Sequence, residues 1–574
     1  LAAAPRISDP SVDPVVAIYQ VIALSATAAL PPLLAYNQTP ATTLYNQLLA
    51  LASWGLVLWL WARSSPGWRA GLKSPAALAL VLLLIAPPTS VIWRSLPLSV
   101  ALDAGAVIGA GLAVLLVAQG LGNDARPKAG EAFFWGLLIA GLCSVAISVV
   151  QVFAPDLADG SWIARYGIAG RAAGNLRQPN HLASLMMWAA VAAVFGTERR
   201  GWRAALPVLL LAFVFAVVLS ASRTGYGGIL MLALWGVLDR RLSRSARLSL
   251  LATPVMLGVC WWLMSLWSTE SGHAFGAASR LAEGAGSPSR LAILRNAWDL
   301  TLANPWLGVG WGEFNFAWSL TPFPDRPIAF FDHTHNLVAQ LAVELGLPWA
   351  SAVLALLAWA LWRAWRGAAQ ADDDAPLRRA ALMIVLTIGL HSLLEYPLWY
   401  AYFLLPACFA LGLALPAASD ARPAGSGPWP WLGGLLIAGS LFAVWDYQRI
   451  VVIYAPSDDA VPLTRRIASG QASPLFGHQA DYAAATSLPP GPNALAAAKR
   501  TAFSLIDARL LMHWSRSLEV TGDVEGARFL ADRLREFRNP TGDNWFAACT
   551  DAASAPAMPQ CQPASAVVDW RRLR

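Results

Sequence analysis

Apolar stretches about as long as a lipid hydrocarbon core is thick recur along this chain, and that recurrence limits its fold more than any other feature. One of them, AALALVLLLIAPPTSVIW, occupies residues 76–93. At 1.5 Å of rise per residue, roughly 20 such residues cross a core of ~30 Å as a helix. Backbone surrounded by lipid must satisfy its own N–H and C=O groups, and a helix does so within one segment. Spans are expected near Pro14–Tyr36, Leu44–Ala62, Ala76–Trp93, Val100–Gly120, Glu131–Phe153, Asn180–Gly196 and Ala204–Ser220. Others follow near Gly225–Leu238, Leu248–Trp267, Asn336–Trp362, Ala380–Leu394, Leu398–Leu415 and Trp431–Tyr447. Only 13% of the 574 residues are charged, against about 25% in soluble domains. The expected fold class is therefore an all-α, polytopic membrane protein with about 12–13 transmembrane helices.

The net charge of +7 is assigned to arginines flanking the spans rather than to nucleic-acid binding. Arg63, Arg69 and Lys73 form one basic loop, and Arg199, Arg200 and Arg203 another. Arg240, Arg241, Arg244 and Arg247 follow, then Arg363, Arg366, Arg378 and Arg379. With the N-terminus in the cytoplasm all four clusters fall on the inner side, as the positive-inside rule requires. The outer side, which for a bacterial inner-membrane protein is the periplasm, then receives three long segments. The expected division is transmembrane helices over 1–267 with an outer loop at 154–179, a large outer loop at 268–335, further transmembrane helices over 336–447, and a small helical tail domain over 448–574. No cleavable signal peptide is evident, and the sequence opens on Leu1 rather than Met, which suits a start lying upstream.

Unusual polar residues gather on that outer side. The large loop ends in DHTHN, with Asp332, His333, His335 and Asn336 at the mouth of an apolar helix. His335 admits three readings: a satisfied interfacial histidine, a metal ligand, or a general base, since imidazole titrates near 6.5 and can take a proton from a hydroxyl. Asp332 or another carboxylate would orient the ring. The two-residue spacing of the histidines does not put both on one helix face, and no further His/Cys cluster completes a metal site. Arg223, between Ser222 and Thr224, reads either as a snorkelling side chain or, with Arg290, as a clamp on an anionic group whose oxygens match guanidinium forks. Arg171, Arg177 and Arg295 are weaker candidates of that kind. Gln178, Asn180 and His181 either cap a helix or line a pocket, and Tyr396 is either an interfacial aromatic or a pocket residue. Cys143, Cys260 and Cys408 lie in apolar runs and read as small core residues, whereas Cys549 and Cys561 lie in the polar tail and form a candidate disulfide pair.

Several of these stretches resemble a known family. HNLVAQLAVELG (His335–Gly346), after its long outer loop, is similar to the Wzy_C superfamily of O-antigen ligases, O-antigen polymerases and protein O-oligosaccharyltransferases. SRTG (Ser222–Gly225) and NPWLGVGWGEF (Asn304–Phe314) are similar to its other signatures. Trp349 departs from the Gly, Thr or Tyr common in ligases, which counts against a lipid-A ligase. GRAAGNLRQPNHLA (Gly170–Ala183) resembles the short signature of PglL-type protein O-oligosaccharyltransferases, and EYPLWYAYFLLP (Glu395–Pro406) resembles their late-span motif. The thirteenth span with its tail is similar to that subfamily's C-terminal region, so the likeness covers nearly the whole chain.

The resemblance implies a glycosyltransferase that moves an oligosaccharide from undecaprenyl pyrophosphate to Ser/Thr hydroxyls of a periplasmic protein such as a pilin. It implies inversion at the anomeric carbon, with neither metal nor cofactor. His335 would be the catalytic base, and Arg223 and Arg290 would bind the donor pyrophosphate. Gln178, Asn180, His181, Asp332, Asn336 and Tyr396 would shape the donor or acceptor pocket. An O-antigen ligase acting on lipid A-core, or a polymerase, would share the core and differ in acceptor. A transporter is the remaining class, but the inverted repeats it calls for are not evident.

Overall fold

The computed structural model describes residues 14–276, 288–324, 326–418, 427–504, 506–550, 558–566 and 568–573. Residues 1–13 of the expected N-terminal domain, and 277–287 with Asp325 of the expected outer loop, lie outside the described residues. Every regular element among the described residues is helical. Apart from 3-10 turns and the four-residue helix Trp68–Gly71, in chain order these are α1 (Pro14–Leu33), α2 (Leu44–Trp61), α3 (Pro75–Arg94), α4 (Leu98–Gln119), α5 (Ala125–Phe153), α6 (Pro179–Arg200), α7 (Leu206–Ser220), α8 (Arg223–Leu238), α9 (Arg244–Leu251) and α10 (Thr253–Ser271). The large loop carries α11 (Pro288–Ala303) and α12 (Phe314–Leu320). After it come α13 (Leu337–Leu345), α14 (Leu347–Ala368), α15 (Ala375–Ser392), α16 (Ala401–Ala414) and α17 (Trp429–Tyr454). The tail contributes α18 (Leu463–Gln471), α19 (Gly477–Ser487), α20 (Pro492–Thr501), α21 (Ala508–Val520), α22 (Val524–Phe537) and α23 (Pro540–Phe546).

Among the described residues nine helices are long and apolar enough to cross a membrane, namely α1–α7, α14 and α17, and ten if α9 and α10, bent by 40°, form one span. The other three expected spans are shorter or more polar. α8 has 16 residues and α16 has 14, and α15 gives part of its first turns to Arg378 and Arg379. At 1.5 Å per residue α16 is about 21 Å long, short of the hydrocarbon thickness. Its residues are almost all buried by neighbouring helices, so protein rather than lipid sets its length. α6 is enclosed in the same way along nearly all its turns. These two helices form the centre of the bundle.

One end of the bundle is basic and self-paired. Arg126, fully buried, donates to the carbonyls of Leu413 (2.6 Å) and Leu415 (2.7 Å), closing the C-terminus of α16 where the helix dipole favours a cation. Arg379 reaches Asp239 (2.9 Å), Arg199 reaches Glu131 (3.3 Å), and Arg378 pairs with Asp372. Arg241 donates to the carbonyl of Gln370 (2.8 Å). The arginines of this end thus tie together the loops that the charge pattern grouped. Cys260 and Cys408 are buried, whereas Cys143 is exposed on the outside of the bundle, where an apolar thiol faces lipid as readily as a core.

At the opposite end the large loop and the tail share one hydrophobic core. Ile293, Phe314, Phe316, Trp318 and Phe323 of the loop cluster with Trp514, Leu530, Leu534 and Phe537 of the tail. The helices between α18 and α22 bury their apolar faces against one another and against the outer end of α17. A disulfide joins Cys549 to Cys561 near the end of the chain.

Candidate active site

Three of the helices that begin at the outer end carry a side-chain cap. Gln178 accepts from the backbone N–H of His181 (2.8 Å) at the start of α6. Ser222 accepts from Gly225 (3.1 Å) at the start of α8, and Asn336 accepts from Ala339 (3.0 Å) at the start of α13. Gly225 is needed for close approach: a Cβ there would lie 2.7 Å from Val217 and 2.8 Å from Ala183. Gly346, with φ at 77°, turns α13 into α14, and a Cβ there would strike the backbone of Trp306 at 2.5 Å. The N-terminus of a helix carries a partial positive charge. Three such ends, together with Arg223 and Arg290, make this region electropositive.

A single carboxylate ties it together. Glu395, in the turn between α15 and α16, accepts from Arg290 Nη2 (2.6 Å) and Asn180 Nδ2 (3.1 Å) on Oε1, while Oε2 lies 2.5 Å from His335 Nδ1. Asn180 in turn accepts from Ser222 Oγ (2.7 Å). The outer loop, α6, α8, α11 and the α15–α16 turn therefore meet around one side chain. Burial pushes the Glu395 carboxyl up, but the hydrogen bond from His335 and the nearby charges of His335 and Arg290 outweigh it and hold the group below the usual carboxylate range. Glu395 is thus an anion that orients a histidine by its Nδ1 and leaves Nε2 for another partner.

His335 itself sits at φ 55°, in the left-handed region that non-glycine residues seldom occupy. The strain is held by local bonds: Thr334 N donates to Gln340 Oε1 (2.7 Å), and Thr334 Oγ1 donates to the carbonyl of Asn336 (2.9 Å). Strained backbone of this kind clusters at functional sites. Tyr396 stands 5.1 Å from the His335 ring at 78° and stacks on His333 at 4.2 Å. Burial, with Asp332 and its tyrosine neighbour adding to it, raises the Tyr396 phenol well above its ordinary value, so it stays a neutral hydroxyl.

The other sequence candidates divide. Asp332 lies at ion-pair distance from His333 Nδ1 (3.2 Å), outside hydrogen-bond alignment. Burial raises its carboxyl, but the His333 charge brings it below the usual range. It is therefore Glu395, not Asp332, that contacts His335. His181 turns down into the bundle, with Nδ1 3.0 Å from the Tyr402 hydroxyl. Gln178 and Asn336 cap helices, and Asn336 also donates to the Leu393 carbonyl (3.0 Å). Arg171 Nε donates to the Ser220 carbonyl (2.8 Å) and Arg177 is anchored on backbone carbonyls, so both tie loops together, while Arg295 is exposed. Glu395 is the residue that sequence reasoning did not single out. Its signal was a lone carboxylate closing an apolar helix on the outer side.

Beside the cluster lies a cavity of about 780 Å³, whose lining includes the polar or aromatic Asp332, His333 and Trp399 and the apolar Leu83, Val107 and Leu357. Asp103 of α4 is a carboxylate on its wall. Among the described residues no group of three or more His, Cys, Asp or Glu side chains is arranged to hold a metal ion.

Comparison with known proteins gives a consistent affiliation. A profile described as "O-Antigen ligase" matches residues 206–352, and one described as "Protein glycosylation ligase" matches 172–195. Over these segments the chain is similar to the O-antigen ligases and to the protein glycosylation ligases. A third profile, "Virulence factor membrane-bound polymerase, C-terminal", matches residues 379–541. Between them the three profiles take in Glu395 and its partners Asn180, Arg290 and His335. Among curated proteins the chain is 26% identical over 291 residues to a general O-oligosaccharyltransferase of Acinetobacter baylyi, covering 48% of this chain and 50% of that protein. It is 23% identical over 247 residues to a ComP-specific O-oligosaccharyltransferase of the same organism, covering 42% and 44%. The match thus spans about half the length of these curated relatives.

Proposed function

We propose that this protein transfers an oligosaccharide from a polyprenyl pyrophosphate carrier, undecaprenyl pyrophosphate in a bacterial inner membrane, to a Ser/Thr hydroxyl of a periplasmic protein. The observation that carries the reading is Glu395 holding both His335 and Arg290, with the chain neighbours Asp332, His333 and Leu393 lining an apolar cavity. Glu395 fixes His335 through Nδ1, so Nε2 faces the acceptor and takes the hydroxyl proton as the oxygen attacks the anomeric carbon. The bond from that carbon to the pyrophosphate oxygen breaks, and the sugar inverts. Arg223, Arg290 and the N-termini of α6, α8 and α13 stabilise the charge arriving on the leaving pyrophosphate. The apolar cavity receives the isoprenoid chain. Tyr396 and Asn180 border the sugar or the acceptor, and no step needs a metal.

The names of the relatives, both O-oligosaccharyltransferases, support a protein acceptor. The O-antigen ligase profile keeps a lipid A-core acceptor, or a growing glycan, as the second reading. Reconstitution of the full chain in lipid nanodiscs with a lipid-linked oligosaccharide decides between them. A glycan added to a pilin-like protein in mass spectra, with lipid A-core unmodified, is the expected result. The opposite pattern would replace the acceptor assignment.

A further inference from the structure

We infer that the C-terminal end of α22 is a splint for the loop that carries His335, so that the tail domain positions the catalytic base. The inference rests on the reading of His335 as base. The described residues of 321–336 contain no helix or strand, and the loop places a strained residue at its functional end. On the membrane side Glu395 and the Leu393 carbonyl hold that end. On the other side three consecutive residues of one helix terminus grip it.

Glu536 accepts from the Phe323 backbone N–H and from Arg326 Nε, both at 3.1 Å. Arg538 donates to the Arg326 carbonyl (3.0 Å). Phe537, between them, stacks on Phe330 with ring centroids 3.8 Å apart and meets Trp318 edge-on at 5.5 Å. The Arg326 guanidinium lies 4.3 Å from the same ring and is fully buried. Burial lowers Arg326 to about 10 even with Glu536 beside it. Phe331, the residue after the stacked Phe330, presses its ring against His335 at 5.2 Å and 85°. The path from tail to base is therefore two ring contacts long: Phe537 on Phe330, then Phe331 on His335. A tail that served only as a platform for acceptor proteins would have no need to hold this loop from both its backbone and its rings. Small displacements of a base from its near-attack geometry cost up to about a hundredfold in rate.

The test uses the full chain in nanodiscs with a lipid-linked oligosaccharide and a short Ser-containing acceptor peptide, too small to need a docking platform. Phe537→Ala and Phe330→Ala are each expected to lower kcat by about tenfold or more, with KM for the donor within about twofold, and to change the pH dependence of kcat. The double variant is expected to be no slower than the worse single one, because both remove the same stack. Phe537→Tyr is expected to restore most of the rate. Phe330 is half-buried on the loop side, so its variant remains informative if Phe537→Ala does not fold. Wild-type kcat in Phe330→Ala, or a loss confined to KM for the peptide, overturns the splint. His335→Ala run in parallel separates the two readings: more than about a tenth of parental activity there removes the base itself, whatever Phe537 does.

Discussion

Replacing Glu395 by glutamine tests the proposed chemistry at its centre with little change in shape. Oε1 would remain to accept from Arg290 and Asn180, the contacts now at 2.6 and 3.1 Å. The amide nitrogen would then stand where Oε2 is, 2.5 Å from His335 Nδ1. An amide N–H can only donate, so Nδ1 must accept and the imidazole proton is forced onto Nε2, the atom that has to receive the acceptor's proton. Hydrogen bonds to charged groups contribute about 1.5–3 kcal/mol, equivalent to roughly 10–150-fold at 1.36 kcal/mol per decade. The wrong tautomer adds to that, up to the 10²–10⁴-fold typical of a lost general base. We therefore expect kcat in Glu395→Gln to fall by about 10²–10³, with donor affinity lowered less than tenfold. Single-turnover transfer to a labelled peptide in nanodiscs measures the first, and binding of the lipid-linked donor the second. The carboxyl is held below its ordinary value. Its contribution is therefore complete above the ordinary carboxylate pKa and is lost only as pH falls through the lower folded value, and the glutamine variant should lack that acid limb. Transfer within threefold of the parent would refute the orienting role of Glu395 and the base assignment that depends on it.

Arg290→Lys and Arg223→Lys should each impair transfer by about tenfold or more, because an ammonium cannot reproduce a forked contact; unchanged donor binding in both would remove them from the pyrophosphate clamp. Transfer should persist in EDTA, and loss that a divalent ion reverses would bring back a metal role. The Cys549–Cys561 disulfide should be resistant to thiol labelling in unfolded, non-reduced protein from cells, as expected of an oxidising compartment, and free thiols at both positions would argue against a periplasmic tail. Glu536→Ala should destabilise the outer body by about 3–5 kcal/mol, since it leaves Arg326 buried without its carboxylate, and a thermal midpoint within a degree of the parent would count against that grip.

Much of the bundle was legible because lipid imposes a simple pattern on sequence. Runs such as residues 76–93 read directly as spans, and arginines that the sequence grouped do gather at one end of the bundle. The shorter members were harder: α16 is a central helix whose length is set by neighbours, and no local signal in AYFLLPACFALGLA records that. The outer polar residues were found as a set but not as partners. His335 stood out beside Asp332 in sequence, yet its carboxylate is 60 positions away, at Glu395. Gln178 and Asn336 stood out for the same polarity and are helix caps. The contact of Phe537 with Phe330 was hidden entirely, because pairing across some 200 residues leaves no periodic trace in either segment.

The core shared by the outer loop and the tail also orders events in time. A ribosome adds about 5–20 residues per second. After Phe330 is made, Phe537 follows roughly 10–40 s later at that pace. On the proposed periplasmic placement, the loop with its aromatic residues has by then crossed the membrane while its packing partners are still unsynthesised. The newborn protein thus passes through a stage in which its spans are made but Phe316, Trp318 and Phe330 still lack the partners that bury them. His335 is secured only when the far end of the chain arrives, so a truncated product of stalled translation would sit in the membrane without a working site.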